Sequence, residues 1–271
     1  MDSLFITYKT STIHYVRTGL GKSLLLCFHG YGESGSTFHF LENILGPDFT
    51  LIALDFPFHG ETIWKEGLPF TVEDLIAILE QIAPSFWAEQ EGVYLLGYSM
   101  GGKAALKILE AVPKKIKKII LIAPDGLGSN FWYSFATQNL VGNRLFLLTM
   151  KRPGWFFLVL QLTKKTGLVN KSIFKFVNYY LHDKRVRLEL YDRWMTMRKI
   201  TPDIKKVKAN IFEYRILTRL LYGKYDHIVR HDRVGGFMGG IEPFCKLSIV
   251  ESGHQLLQTK NEDIIIELIK N

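Results

Sequence analysis

A serine stands between glycines in Gly97-Tyr98-Ser99-Met100-Gly101, directly after the apolar run Val93 to Leu96 and ahead of a helical stretch reaching Ala111. A strand that must become a helix within so few residues leaves its central residue in a strained conformation, with the hydroxyl clear of the strand end. The flanking glycines let neighbouring backbone approach where a Cβ would clash. The N-terminus of the following helix then faces negative charge developing at that hydroxyl. Residue usage alone would place such a pattern in roughly one chain in ten of this size. Its position between strand and helix gives it weight over the plainer alternative, a glycine-rich turn whose serine caps a helix.

A serine hydroxyl is a poor nucleophile until a base takes its proton. Of the eight histidines, His254 follows a strand, Cys245 to Val250, through Glu251-Ser252-Gly253. The carboxyl end of a strand is where α/β sheets hold their chemistry. His14, His182, His227 and His231 read as surface or loop residues. An imidazole in this role needs a carboxylate to hold its tautomer. Asp226 closes Leu221-Tyr222-Gly223-Lys224-Tyr225-Asp226 just past a strand, and the chain order Ser, Asp, His suits a G-x-S-x-G serine. Asp125, past the strand Ile116 to Ile122, is the rival acid. Asp232 reads as a solvated or helix-start residue. Acyl transfer also needs two backbone N–H donors for an oxyanion. Met100, after the serine, supplies one, and Tyr31 in His29-Gly30-Tyr31-Gly32 supplies the other. The chemistry these residues suggest is attack on an ester-like carbonyl.

The elements that would position these groups alternate. Leu4 to Tyr8 and Ile13 to Val16 read as a strand hairpin. Leu24 to Phe28 and Phe49 to Leu54 are continuous apolar runs, as for strands buried on both faces. Thr37 to Leu45 reads as a helix. So does Thr71 to Ala83, whose Val72, Leu75, Ile76, Leu79 and Ile82 recur at helical spacing. There Thr71 and Asp74 form a capping box with Asp in place of Glu. Strand–helix alternation predicts a mainly parallel sheet covered on both faces. The pattern breaks after Leu127. Up to about Asp203 the chain holds aromatic-rich helical segments, Trp155 to Leu162, Ile173 to Leu181 and Val186 to Met197, with many cations. The expected organisation is a core of residues 1–126 and 204–271 with a helical insertion at 127–203. Strand character returns at Ile216 to Tyr222. A helix is expected over His231 to Met238, and a last one over Glu262 to Ile269.

The 271 residues are 47% hydrophobic and 22% charged, ordinary for a folded chain with a full core. Net charge is +8, with 34 Lys and Arg against 26 Asp and Glu. A basic balance allows a soluble surface, an anionic substrate or, on weaker grounds, an anionic membrane surface. No nucleic-acid motif is present, so a nucleic-acid partner is not expected. Cys27 and Cys245 lie in apolar runs and read as buried free thiols, not as a disulfide framework or a metal site. No metal-ligand spacing occurs, and no cofactor is expected. The first residues lack the charged and apolar regions of a signal peptide, and apolar runs stop well short of the roughly 20 residues of a membrane helix. A cytoplasmic location is the default expectation.

Taken in order, Phe28-His29-Gly30-Tyr31-Gly32, Asp55-Phe56-Pro57-Phe58-His59-Gly60, Gly97-Tyr98-Ser99-Met100-Gly101-Gly102, Gly223-Lys224-Tyr225-Asp226-His227 and Ser252-Gly253-His254 resemble the α/β-hydrolase superfamily in its lid-bearing branch. The resemblance implies an eight-stranded, mostly parallel sheet flanked by helices, its second strand antiparallel. It also implies a helical cap after the sixth strand, and a Ser99–His254–Asp226 triad acting on a small-molecule acyl substrate. Phe58 stands where the family carries glycine and would narrow the mouth of the site, while His59 would order that loop. Tyr98, Phe58 and Trp132 are the candidate substrate contacts. Lys103 is a candidate partner for an anionic substrate. Gly97 to Lys103 also resembles a menaquinone-pathway branch that eliminates pyruvate, although that branch carries arginine where this chain has Lys103. Relatives that act as small-molecule receptors make a binding protein with a retained triad a further alternative.

Overall fold

The computed structural model describes residues 1–84, 92–128, 131–165 and 181–271. The chain forms two compact units, one of Met1–Glu66, Phe70–Gly128 and Lys199–Asn271, the other of Gly67–Pro69 and Ser129–Arg198. The strands are β1 (Asp2–Tyr8), β2 (Ser11–Thr18), β3 (Ser23–Phe28), β4 (Phe49–Leu54), β5 (Val93–Tyr98), β6 (Ile116–Ile122), β7 (Leu217–Gly223) and β8 (Cys245–Val250). The main helices are α1 (Val72–Ile82), α2 (Met100–Ala111), α3 (Phe131–Gln138), α4 (Leu140–Lys151), α5 (Gly154–Lys165), α6 (Lys184–Thr196), α7 (Ile204–Glu213) and α8 (Glu262–Lys270).

All eight strands of the first unit join one sheet in the order β1-β2-β4-β3-β5-β6-β7-β8. β2 runs antiparallel to both of its neighbours, and every other pairing from β4 to β8 is parallel. The unbroken apolar runs have the expected cause: Leu25, Leu26, Cys27 and Phe28 of β3 have no exposed surface. Strand order reverses at β3, which lies between β4 and β5. The carboxyl ends of β3 and β5 therefore border a topological switch point, the usual place for a ligand crevice in such sheets.

Local chemistry sets the helix ends. The Thr71 hydroxyl accepts from the Asp74 N–H while the Asp74 carboxylate accepts from the Thr71 N–H, completing the capping box. At the far end of α8, buried Lys118 of β6 donates to the Ile269 carbonyl at 2.9 Å, and Arg219 of β7 donates to that of Asn271 at 2.8 Å. Both cations sit where the helix dipole is negative. Burial, with Arg219, Lys117 and Lys246 nearby, pulls the Lys118 ammonium down to about 8. Cys27 and Cys245 are buried and free. Burial raises both thiols, Cys245 to about 11, so neither is an ionised nucleophile near neutral pH.

The second unit holds α3 to α6, with no strand among its described residues. Asn139 caps α4 by accepting from the Val141 and Gly142 N–H groups, and Asp183 caps α6 through those of Arg185 and Val186. The expected helix over Ile173 to Leu181 lies, except for Leu181, outside the described residues. No described helix is long and apolar enough to cross a membrane.

Three expectations are corrected. Thr37 to Leu45 is a 3-10 segment, Gly35–Leu41, followed by one α turn, Glu42–Leu45. The Gly35 N–H is tied to Asp55 at 2.6 Å, and a Cβ there would come within 2.6 Å of the Ala53 carbonyl, so the segment starts pinned against β4. His231 to Met238 likewise divides into the 3-10 turn His231–Arg233 and a short helix, Gly235–Met238, as the weak helix propensity of Gly235 and Gly236 allows. His14 is not a surface residue. It lies on β2 at 4% exposure, its Nδ1 2.7 Å from Asp55 and its Nε2 2.9 Å from the Ser3 hydroxyl.

Candidate active site

The turn from β5 into α2 takes one residue. Ser99 has φ +48° and ψ −115°, a conformation that costs on the order of 1–3 kcal/mol. Its surroundings hold it there. The Ser99 N–H donates to the Ile122 carbonyl at 3.0 Å, while the Ser99 carbonyl accepts from Gly102 at 2.9 Å and from Asp125 at 2.8 Å. Glycine is needed on both sides. A Cβ at Gly97 would stand 2.8 Å from the Gly101 carbonyl, and one at Gly101 would stand 2.0 Å from that of Phe28. The elbow is thus wedged against the ends of β3 and β6.

The loop after β8 brings His254 to this serine, with the hydroxyl 3.0 Å from Nε2. Its Nδ1 is 2.7 Å from Asp226 Oδ2. Asp226 is 4% exposed, and its Oδ1 accepts from the Ile228 and Val229 N–H groups at 2.7 and 2.9 Å. With two backbone N–H groups on Oδ1, the remaining oxygen faces Nδ1 as an acceptor, an arrangement in which Nδ1–H donates to Asp226 and Nε2 is left to accept from Ser99. The loops after β7 and β8 are laced together, Lys224 donating to Val250 and Tyr225 to Ser252. A Cβ at Gly223 would lie 2.3 Å from the Gly253 carbonyl, so this lacing requires glycine.

Asp125, the rival acid, is committed elsewhere. Its Oδ2 is 2.7 Å from Lys103 Nζ and its Oδ1 accepts from the Gly126 N–H. The expectation for Lys103 changes with it: the side chain is buried and ion-paired instead of being presented to an anion.

Past β3, the turn Gly30-Tyr31-Gly32-Glu33 is fixed from several sides. His29 bonds the Gly30 carbonyl through Nδ1 at 2.7 Å and accepts from the Phe56 N–H through Nε2 at 3.1 Å. The Gly30 N–H donates to Glu33 Oε2 at 3.1 Å, the Glu33 N–H donates to the Gly30 carbonyl, and Gly32 takes the positive φ of +76°. Tyr31 lies within this turn, and Met100 is the first residue of α2, where a helix has no internal partner for its N–H. Sequence reading missed Glu33. Its carboxyl is raised by burial, against the opposing pull of the Gly30 N–H and of His254. A carboxylate three residues past a loop glycine is too common a pattern to have singled it out.

Tyr98 is 3% exposed, and its hydroxyl donates to the His254 carbonyl at 3.1 Å, so its ring braces the histidine loop. Phe58 is half-buried at φ +62°, an uncommon conformation for a bulky side chain at the position where the resembled family carries glycine. His59 is buried, with Nδ1 2.9 Å from the Pro57 carbonyl. Asp55 anchors this loop from beneath, accepting from the Gly35 and Glu61 N–H groups and meeting His14. Trp132 belongs to the second unit, where it is 73% exposed with its ring edge-on to Phe131.

The family model described as "Serine aminopeptidase, S33" matches residues 21–258. The chain is 28% identical over 132 residues to a pimeloyl-[acyl-carrier protein] methyl ester esterase of Aeromonas salmonicida, covering 46% of this chain and 48% of that protein. It is 31% identical over 109 residues to a serine hydrolase-like protein of Mus musculus, covering 39% and 34%. The chain thus spans less than half the length of these curated relatives. Among solved structures, a thermophilic esterase from Thermogutta terrifontis superposes with a TM-score of 0.67 at 17% identity, covering 100% of this chain and 98% of that one. A thioesterase domain from the curacin biosynthetic pathway gives 0.64 at 17%, covering 100% and 99%.

Proposed function

The chain belongs to the serine aminopeptidase family of α/β-hydrolases, and from that premise we propose that it is a serine hydrolase cleaving carboxylic esters or thioesters through an acyl-enzyme on Ser99. The observation that carries this reading is the hydrogen-bonded series Ser99–His254–Asp226, with spacings of 3.0 and 2.7 Å. Ser99 Oγ attacks the acyl carbon while its proton passes to His254 Nε2. Asp226 keeps Nδ1–H in place and stabilises the imidazolium. The Met100 and Tyr31 N–H groups receive the oxyanion. As the tetrahedral species collapses, the leaving alcohol or thiol takes the proton from Nε2. Water then attacks the acyl group on Ser99, gives its proton to His254, and the collapse returns that proton to Ser99 as the acid departs.

The esterase and thioesterase named among the similar proteins support an ester-type bond, and the family name adds an aminoacyl amide to the substrates to be tried. We read the helical second unit as the cap that the resemblance implies. The test is a panel of chromogenic esters and thioesters graded by acyl length, with an aminoacyl amide beside them, run against Ser99→Ala. Turnover peaking at one acyl length and abolished in Ser99→Ala is expected. Equal turnover in Ser99→Ala, or tight binding of a panel member without turnover in the wild type, would overturn the reading.

A further inference from the structure

The net charge of +8 is not spread over the molecule. Residues 129–198 carry 12 Lys and Arg against 3 Asp and Glu, a net of +9; the remaining 201 residues carry 22 against 23. The positive balance of the whole chain therefore resides in the helical second unit. Its three acids are largely occupied. Asp183 caps α6, and Glu189 is shared between Arg185 and Arg193.

The same unit exposes large apolar side chains. Phe131 (71%) and Trp132 (73%) open α3, and Leu140 (82%) and Val141 (70%) open α4, which packs on α3. Along α4, Val141, Leu145 and Leu148 follow at i, i+4 and i+7, so they share one side of the helix, and all three are exposed. Arg144, Lys151 and Arg152 are exposed on or just beyond α4, none ion-paired with a described residue. Exposed aromatic and aliphatic side chains gathered on two packed helices mark an interaction surface. With the exposed cations of α4 beside them, they match an interfacial helix, whose apolar side chains enter the acyl boundary while the cations stay among the headgroups.

From this coincidence of charge and apolar exposure we infer that the second unit is a docking surface for an anionic lipid membrane. Charge complementarity selects an anionic partner, and Leu140, Val141, Leu145 and Leu148 favour lipid over a nucleic acid, whose backbone offers nothing for aliphatic side chains. The surface is independent of Ser99, so the inference does not rest on the proposed reaction.

The experiment is co-sedimentation of the full chain with large vesicles of phosphatidylcholine alone or with about a third phosphatidylglycerol, at low and high salt. Tight binding is expected only to the anionic vesicles, weakening as salt screens the attraction. The triple variant Arg144→Glu, Lys151→Glu, Arg152→Glu should bind at least about 100-fold more weakly, since each cation near an anionic surface contributes about a factor of five. Leu140→Ser with Leu148→Ser, both exposed positions, should weaken binding and leave the remainder sensitive to salt, and circular dichroism should show both variants folded. Ser99→Ala should bind like the wild type. No binding at low salt, equal binding to both vesicle types, or binding unchanged in either variant would overturn the inference. So would displacement from vesicles by an equal charge concentration of RNA, or light scattering that shows this face joining two copies of the chain.

Discussion

Replacing Asp226 by asparagine tests the hydrogen-bond logic of the site with almost no change of shape. Asp226 Oδ1 accepts two backbone N–H groups, from Ile228 and Val229. An asparagine must keep its single oxygen toward those two donors, because turning its NH2 there would set donor against donor. The NH2 then faces His254 Nδ1, where Oδ2 now stands 2.7 Å away. To meet it, Nδ1 must become the acceptor and the proton must move to Nε2, the nitrogen 3.0 Å from the Ser99 hydroxyl. A protonated Nε2 cannot accept the serine proton. Loss of the productive tautomer costs about 10⁴-fold in kcat, about 5.4 kcal/mol in the barrier. The assay is kcat on the best ester of the graded panel, beside Asp125→Asn as a control for the rival carboxylate. The geometry requires a fall of at least a thousandfold for Asp226→Asn and a modest effect for Asp125→Asn. A loss under tenfold for Asp226→Asn in a folded protein, or the larger loss for Asp125→Asn, would refute the assignment of the acid.

Other outcomes follow from the same structure. Ser99→Gly should unfold at higher denaturant than Ser99→Ala, by about 1 kcal/mol, because glycine accepts φ +48° without a Cβ while both variants lose the bond to His254; equal midpoints would show that the elbow stores no strain. Gly223→Ala should destabilise the fold and cut kcat together, since its Cβ would meet the Gly253 carbonyl at 2.3 Å and displace the His254 loop; unchanged kcat would contradict that link. Lys118 is drawn down to about 8 by burial, so above that pH the folded chain sheds this proton before the unfolded chain does. Wild-type stability should therefore rise relative to Lys118→Met between about pH 8 and the ordinary lysine range, and a flat difference in urea midpoints would show that this ammonium is not desolvated.

Much of this arrangement was legible in the residues because it depends on local geometry. A glycine-flanked serine between an apolar strand and a helix admits few conformations, and Gly97, Gly101 and Gly223 each stand where backbone passes too close for a Cβ. The buried strands announced themselves by unbroken apolar runs. Chain order pointed to Asp226 over Asp125, and Asp226 lies 2.7 Å from His254. The pairing of Asp125 with Lys103 was not legible, because it joins two segments that meet only in the fold. His14 was misread because a polar residue in a strand normally marks the solvated face. Here Asp55, 41 residues later in the chain, supplies its partner in the interior. Glu33 stayed hidden because its place against Gly30 depends on the turn closing, and turn closure is not visible in residue types.

Labelling with a fluorophosphonate, read by intact mass and peptide mapping, asks most directly whether Ser99 is a nucleophile that His254 activates. One adduct per chain on Ser99, absent from Ser99→Ala and strongly slowed in His254→Ala, is the predicted result. A folded protein that takes no label, or an adduct mapped to another residue and retained in Ser99→Ala, would contradict it.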